Sequence, residues 1–156
     1  MRRRILVAGA VAVATALGAV VVWRDHGGSG ATSGGFAENA GRGAALYAEH
    51  CASCHGVELE GQPGWQRRLP SGRLPAPPHD ASGHTWHHPD SVLFRIVKEG
   101  PAAIAGGGYQ SDMPGFADVM SDDEIEAVLA FIKSTWPERE RAAQEQMSRA
   151  DRPGAP

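Results

Sequence analysis

Residues 51 to 55 read Cys51-Ala52-Ser53-Cys54-His55. Two thiols three positions apart share one helical turn, and a histidine follows at once. This is the spacing of a covalent haem c attachment site. Cys51 and Cys54 can each form a thioether with one of the two haem vinyl groups, and His55 then lies under the iron as the proximal ligand. The chain has only 2 cysteines, so none is left for a structural disulfide. Other uses of a Cys-x-x-Cys pair lack their context. A thioredoxin-like redox site calls for a βαβ pattern around the pair, and none is visible. A zinc site of this type calls for a second Cys-x-x-Cys or a spaced histidine pair, and the local fit is poor.

Length and composition agree with one small domain carrying extensions. The chain has 156 residues, including 20 glycines and 11 prolines, which predicts a loop-rich fold with a few helices. A covalently held haem would supply much of the core that so short a domain lacks. The formal charge is −3; with Arg2, Arg3 and Arg4 set aside, 12 basic and 18 acidic residues leave the rest at −6. An acidic body argues against nucleic-acid binding and suits docking to a basic partner face.

Residues 1–23 form a leader. Arg2-Arg3-Arg4 precede an uncharged apolar run from Ile5 to Val22, closed by Trp23. Such a run can just span a bilayer core, and the triple arginine keeps the N-terminus in the cytoplasm. The leader therefore reads as a signal anchor, with a cleaved signal peptide as the alternative. No convincing small-x-small cleavage site follows it. In both cases the haem domain lies on the periplasmic, extracytoplasmic side, and the anchor makes it a single-pass protein of the cell membrane. Residues 24–35, RDHGGSGATSGG, read as a flexible Gly/Ser linker.

The haem domain is expected over residues 36–137. Ala37 to Cys51 is dense in helix formers, with Leu46 and Tyr47 as its large apolar residues. Gly41 and Gly43 interrupt it at a cost in stability. Either Gly43 and Tyr47, four apart on one face, admit a close neighbouring helix, or the helix starts after Gly43. Further on, Val92, Leu93, Ile96 and Val97 give an apolar stripe to a helix over Ser91–Glu99, stopped by Gly100-Pro101. Ala102 to Gln110 reads as a flexible turn. Ser121-Asp122-Asp123-Glu124 is a capping box, and Ile125, Val128, Leu129, Ile132 and Trp136 follow at helical period.

Taken in order, these features resemble the class I, mono-haem c-type cytochromes, of the membrane-anchored bacterial kind. The features are a Gly/aromatic first helix entering Cys-x-x-Cys-His, a later Met-Pro, and a final amphipathic helix ending in Trp136. They span Phe36 to Pro137. The resemblance implies an all-α fold, a small cytochrome c fold whose few helices wrap one covalent haem c per chain. It implies that the first and last helices cross through a Gly/aromatic contact, a part that falls to Gly43 and Tyr47. It also implies that Met113, in Asp112-Met113-Pro114-Gly115, is the distal iron ligand, placed in a loop stiffened by proline just before the last helix. Met120, at the entrance of that helix, lacks the proline context. A backbone carbonyl in the loop after the haem motif is expected to take the second ring nitrogen of His55. Pro63 is the match, although the family's Gly-Pro pair reads Gln62-Pro63 here.

That loop, Gly56 to Asp90, also carries His79, His84, His87 and His88. They read as surface and haem-edge polar groups; the alternatives are a copper or zinc site and a second axial ligand to the haem iron. Trp65 and Trp86 are expected to pack at the haem edge. Residues 138–156 form a polar extension, expected as a solvated helical appendage.

With both axial positions filled, the expected function is one-electron transfer and not bond chemistry. The chain reads as an electron carrier rather than an enzyme, working between redox partners of a respiratory chain: a quinol-oxidising complex or dehydrogenase on one side, a terminal oxidase on the other. Two other readings stand beside it. One is a haem sensor or peroxidase with an open sixth iron position; the other is a metal-handling module built on the His79–His88 loop.

Overall fold

The structure is a computed structural model and describes residues 31–154, with side chains from residue 39 onward. The leader (1–23) and residues 24–30 of the expected linker lie outside the described residues. Among those described there is no strand. The helices are α1 (Ala31–His50), α2 (Ala52–His55), α3 (Asp90–Glu99), α4 (Pro101–Ala105), α5 (Asp122–Ser134) and α6 (Glu138–Ala150), with one 3-10 turn at Thr85–His87. None of them is long and apolar enough to cross a membrane.

Helix α1 runs unbroken through Gly41 and Gly43 and starts at Ala31, earlier than the expected Ala37, so residues 31–35 of the expected linker are helical. Once the C-terminal half of a helix is fixed, each added turn escapes the nucleation cost, and a weak helix former such as Gly35 can follow. Gly43 is buried against Ala127 and Phe131 of α5, whereas Gly41 faces open space. The glycine that earns the close approach is therefore Gly43, and the alternative of a helix beginning after it falls.

Helix α5 begins as its sequence dictates. The Ser121 hydroxyl accepts from the Glu124 N–H at 3.4 Å, and the Glu124 carboxylate accepts from the Ser121 N–H at 2.9 Å. Asp122, Asp123 and Glu124 add negative charge to the first turn, where it offsets the helix dipole. The buried face carries Ile125, Ala127, Val128, Leu129 and Ile132, and Trp136 closes it beyond the helix end. With Tyr47, Leu93, Val97 and Met120 they make one core. Each of the large side chains contributes about 1.5–3 kcal/mol by leaving water.

One short connection differs from expectation. Gly100-Pro101 ends α3, but Pro101 also opens α4, so the segment read as a turn over 102–110 begins with a helical turn. Proline at the first helical position needs no N–H partner, which is why the same residue both stops and starts a helix.

The C-terminal extension is a correction. Helix α6 is not a solvated appendage; it is docked. Gln144 is fully buried and Ser148 nearly so. The Gln144 amide donates to the Asp90 carboxylate at 2.7 Å and to the His88 carbonyl at 3.2 Å, and the Asp90 N–H donates to the Ser148 hydroxyl at 3.0 Å. Ser91 also hydrogen-bonds Asp151. The docking face is polar, so an apolar stripe could not reveal it. It satisfies the Asp90 N–H at the start of α3, which lacks an intrahelical acceptor.

Candidate functional site: a haem c centre

Helix α2 is a single turn, and it carries the Cys-x-x-Cys-His run directly off the end of α1. The Cys51 N–H donates to the Tyr47 carbonyl at 2.9 Å and the His55 N–H to the Cys51 carbonyl at 2.9 Å, so the helical path continues through the motif. Cys54 is exposed and Cys51 partly buried, both as free thiols. Burial, with the neighbouring Cys54, pushes the Cys51 thiol up to about 11. A thiol that keeps its proton at neutral pH is a poor redox nucleophile, which counts against thioredoxin-type chemistry.

His55 is buried. Its Nδ1–H donates to the carbonyl of Pro77 at 2.8 Å. A carbonyl can only accept, so the tautomer is fixed and Nε2 is the nitrogen left to bind iron. Burial lowers the His55 pKa and the Pro77 bond opposes it without reversing it, which keeps the ring in its neutral, metal-binding form. The expected acceptor, Pro63, is thereby corrected to Pro77. The chain doubles back at Gly61 and Gln62. The Gly61 N–H donates to the His55 carbonyl at 2.7 Å, the Gln62 N–H to Ala76 O at 2.8 Å, and the Ala76 N–H to the Gln62 side chain at 2.9 Å. This return brings the next proline pair, Pro77-Pro78, under the imidazole and leaves Pro63 outside on the exposed turn.

Met113 lies at the edge of the same core as Cys51, partly buried. Its loop is tied at both flanks. On one side Phe116 and Ala117 donate backbone N–H groups to Val97 O (3.0 Å) and Lys98 O (3.1 Å) at the end of α3. On the other, Arg73 pairs with Asp112, and the Met113 N–H donates to the Ser111 hydroxyl at 3.1 Å. Met120, the other candidate, is 3% exposed and packed into the core.

The histidine loop is not simply a surface feature. His79 is drawn inside. Its ring stacks on His55 with centroids 4.0 Å apart, and its Nδ1 lies 2.8 Å from the Thr85 hydroxyl. Burial, then the His55 and His84 charges, hold its pKa at about 3. His84 stacks on Trp65 and His87 on Trp86, so each tryptophan packs against a loop histidine. Among the described residues no group of three or more His, Cys, Asp or Glu is placed to hold a metal ion. The metal-handling reading thus gains no ligand set from the fold.

Sequence reasoning missed three contributors. The Tyr47 hydroxyl donates to the carbonyl of Gly56, the residue after His55, at 2.9 Å; the Trp136 indole donates to His79 O at 2.7 Å; and Pro77 orients the His55 ring. Tyr47 and Trp136 were legible only as core residues, because nothing in their spacing says where a phenol or an indole N–H ends.

A family model described as Cytochrome c matches residues 40–136. The chain belongs to the cytochrome c family. No curated protein and no solved structure matches it. As a class I c-type cytochrome it binds haem c covalently, and Cys51 and Cys54 stand at the family's Cys-x-x-Cys-His spacing. The donor set fits that group: two unpaired thiols one turn apart, and next to them an imidazole whose Nδ1 is already engaged. Haem c supplies the cytochrome with a one-electron ferric/ferrous couple, and electron transfer is the general activity of the family.

Proposed function

We propose that this cytochrome is a six-coordinate electron carrier in which His55 and Met113 ligate the haem iron. It works on the extracytoplasmic side of a membrane to which residues 1–23 tether it. The observation that carries the proposal is the matched anchoring of the two ligand-bearing segments. His55 is oriented by Pro77 O, and the Met113 loop is sewn to α3 by two backbone hydrogen bonds. A thioether is a weak ligand, so holding its loop in place in advance favours its staying on the iron through both oxidation states; methionine also raises the reduction potential. The partners are redox proteins of a respiratory chain, a quinol-oxidising complex or dehydrogenase as donor and a terminal oxidase as acceptor. The acidic body supports brief electrostatic docking to them.

The test is the absorption spectrum of the haem-loaded protein, oxidised and reduced. The weak near-infrared sulfur-to-iron band of the ferric form is expected, and it disappears in Met113→Ala. Absence of that band, with ready carbon monoxide uptake by the reduced protein, would overturn the proposal in favour of an open-site sensor or peroxidase.

A further inference from the structure

We infer that His79 is a positioning residue that fixes the plane of the proximal imidazole by stacking on it. The inference rests on His55 being the iron ligand. The two rings lie with centroids 4.0 Å apart and planes inclined by 22°. Two imidazoles on opposite faces of one haem would need ring centres roughly 6 Å apart, with the iron between them. His79 therefore lies beside the proximal ligand and does not oppose it.

A bound imidazole can still turn about its metal–nitrogen axis. The hydrogen bond from His55 Nδ1 to Pro77 O resists that turn through a single atom. A ring laid on the imidazole face resists it over the whole plane, provided the second ring is itself immobile. His79 meets that condition on every side. Its backbone N–H donates to Leu59 O at 2.8 Å, and its carbonyl accepts from the Trp136 indole at 2.7 Å. Its Nδ1 meets the Thr85 hydroxyl, which in turn donates to Pro78 O at 3.5 Å, so the hydroxyl oxygen is the acceptor for His79. Tyr47 approaches the ring edge-on, at 6.3 Å and 73°. Pro77 and His79 are two residues apart, so one short backbone segment delivers both the hydrogen-bond acceptor and the stacking face.

The orientation of the proximal ring sets which haem orbital holds the unpaired electron of the ferric form. It can be read from the electron paramagnetic resonance g-values and from the spread of the haem-methyl proton shifts. In the haem-loaded full-length protein, His79→Leu is expected to change the g-values and break the single set of methyl shifts into several. His79→Phe, which restores an aromatic face, is expected to return one set close to wild type. Thr85→Val, which frees the His79 ring without removing it, is expected to shift the signals in the same sense as His79→Leu, by less. Should His79→Leu fail to load haem, the phenylalanine and Thr85 variants decide. Signals identical to wild type in His79→Leu or Thr85→Val would overturn the inference, as would a phenylalanine variant no closer to wild type than an altered leucine variant. A wild-type protein without low-spin histidine-ligated signals would instead overturn the ligation reading, so the two failures are distinct.

Discussion

A Cβ built on Gly43 would lie 1.9 Å from the carbonyl oxygen of Ala127 and 2.9 Å from the Cβ of Phe131. The crossing of α1 over α5 is thus set by the absence of a side chain at one position. Tyr47, one turn on, fills the space beside it, with its ring 5.4 Å from that of Phe131. Gly43→Ala must push the two helices apart along a core that both share. We expect a loss of about 1–3 kcal/mol or more from overpacking, read as a lowered denaturation midpoint, while Gly41→Ala is neutral or slightly stabilising.

The Gln62 side chain accepts from the Ala76 N–H at 2.9 Å, one residue before the Pro77 carbonyl that orients His55. Gln62→Ala loosens that acceptor. The expected cost is about 0.5–1.5 kcal/mol in stability. A weaker bond to Nδ1 also makes the imidazole less basic, so the reduction potential moves upward. A potentiometric titration beside a denaturation curve separates the two effects.

Gly115 lies against the end of α3, where a Cβ would come within 2.8 Å of Lys98 O. Gly115→Ala is expected to lift the Met113 loop from its two backbone anchors. With Met113 on the iron as proposed, exogenous imidazole should then displace it from the ferric haem several-fold more readily. An unchanged imidazole affinity would mean that the loop is held elsewhere.

Asp90 links pH to the docking of α6. Burial alone would raise its carboxyl pKa, but hydrogen bonds from Lys133 and Gln144, the Lys133 charge and Ser148 outweigh it and hold the group below 3.8. A carboxyl depressed in the folded state contributes its stability in full above the unfolded value near 3.8, and loses it as the pH falls through the lower folded value. The stability difference between wild type and Asp90→Asn should therefore be constant above about pH 5 and shrink on acidification below about pH 4. Gln144→Ala, which removes one of the donors to the same carboxylate and the Gln144 donor to His88 O, should cost about 1–3 kcal/mol.

What the residues disclosed in advance was local. Cys51 to His55 fit one turn, Ser121 and Glu124 cap their own helix, and the apolar positions of α3 and α5 repeat at helical period. Each is a relationship within a few positions, set by chain geometry. Pro77 could not be distinguished from Pro63 in this way. Which proline reaches His55 depends on where the loop turns back, and that is decided by backbone contacts between Gln62 and Ala76. His79 looked like one of four similar loop histidines because its enclosure is created by Leu59 and Thr85, from other turns of the same loop, and by Trp136, from beyond α5. The docking of α6 escaped notice for a chemical reason: Gln144, Ser148 and Asp151 mark a polar stripe, and polar stripes look like solvated ones until their partners on Asp90 and Ser91 are known.

The docking of α6 also means that the unit recognised by family likeness and the unit that folds are not the same length. The match ends at residue 136, while the hydrogen-bond partners of His88 O and Asp90 lie beyond it, at Gln144 and Ser148. Trimming the gene to the boundaries of the family match would leave the start of α3 without its α6 partners and strip the cover from the loop that delivers His79. A fragment cut at Pro137 would be a natural choice for a designer and a poor one for the protein.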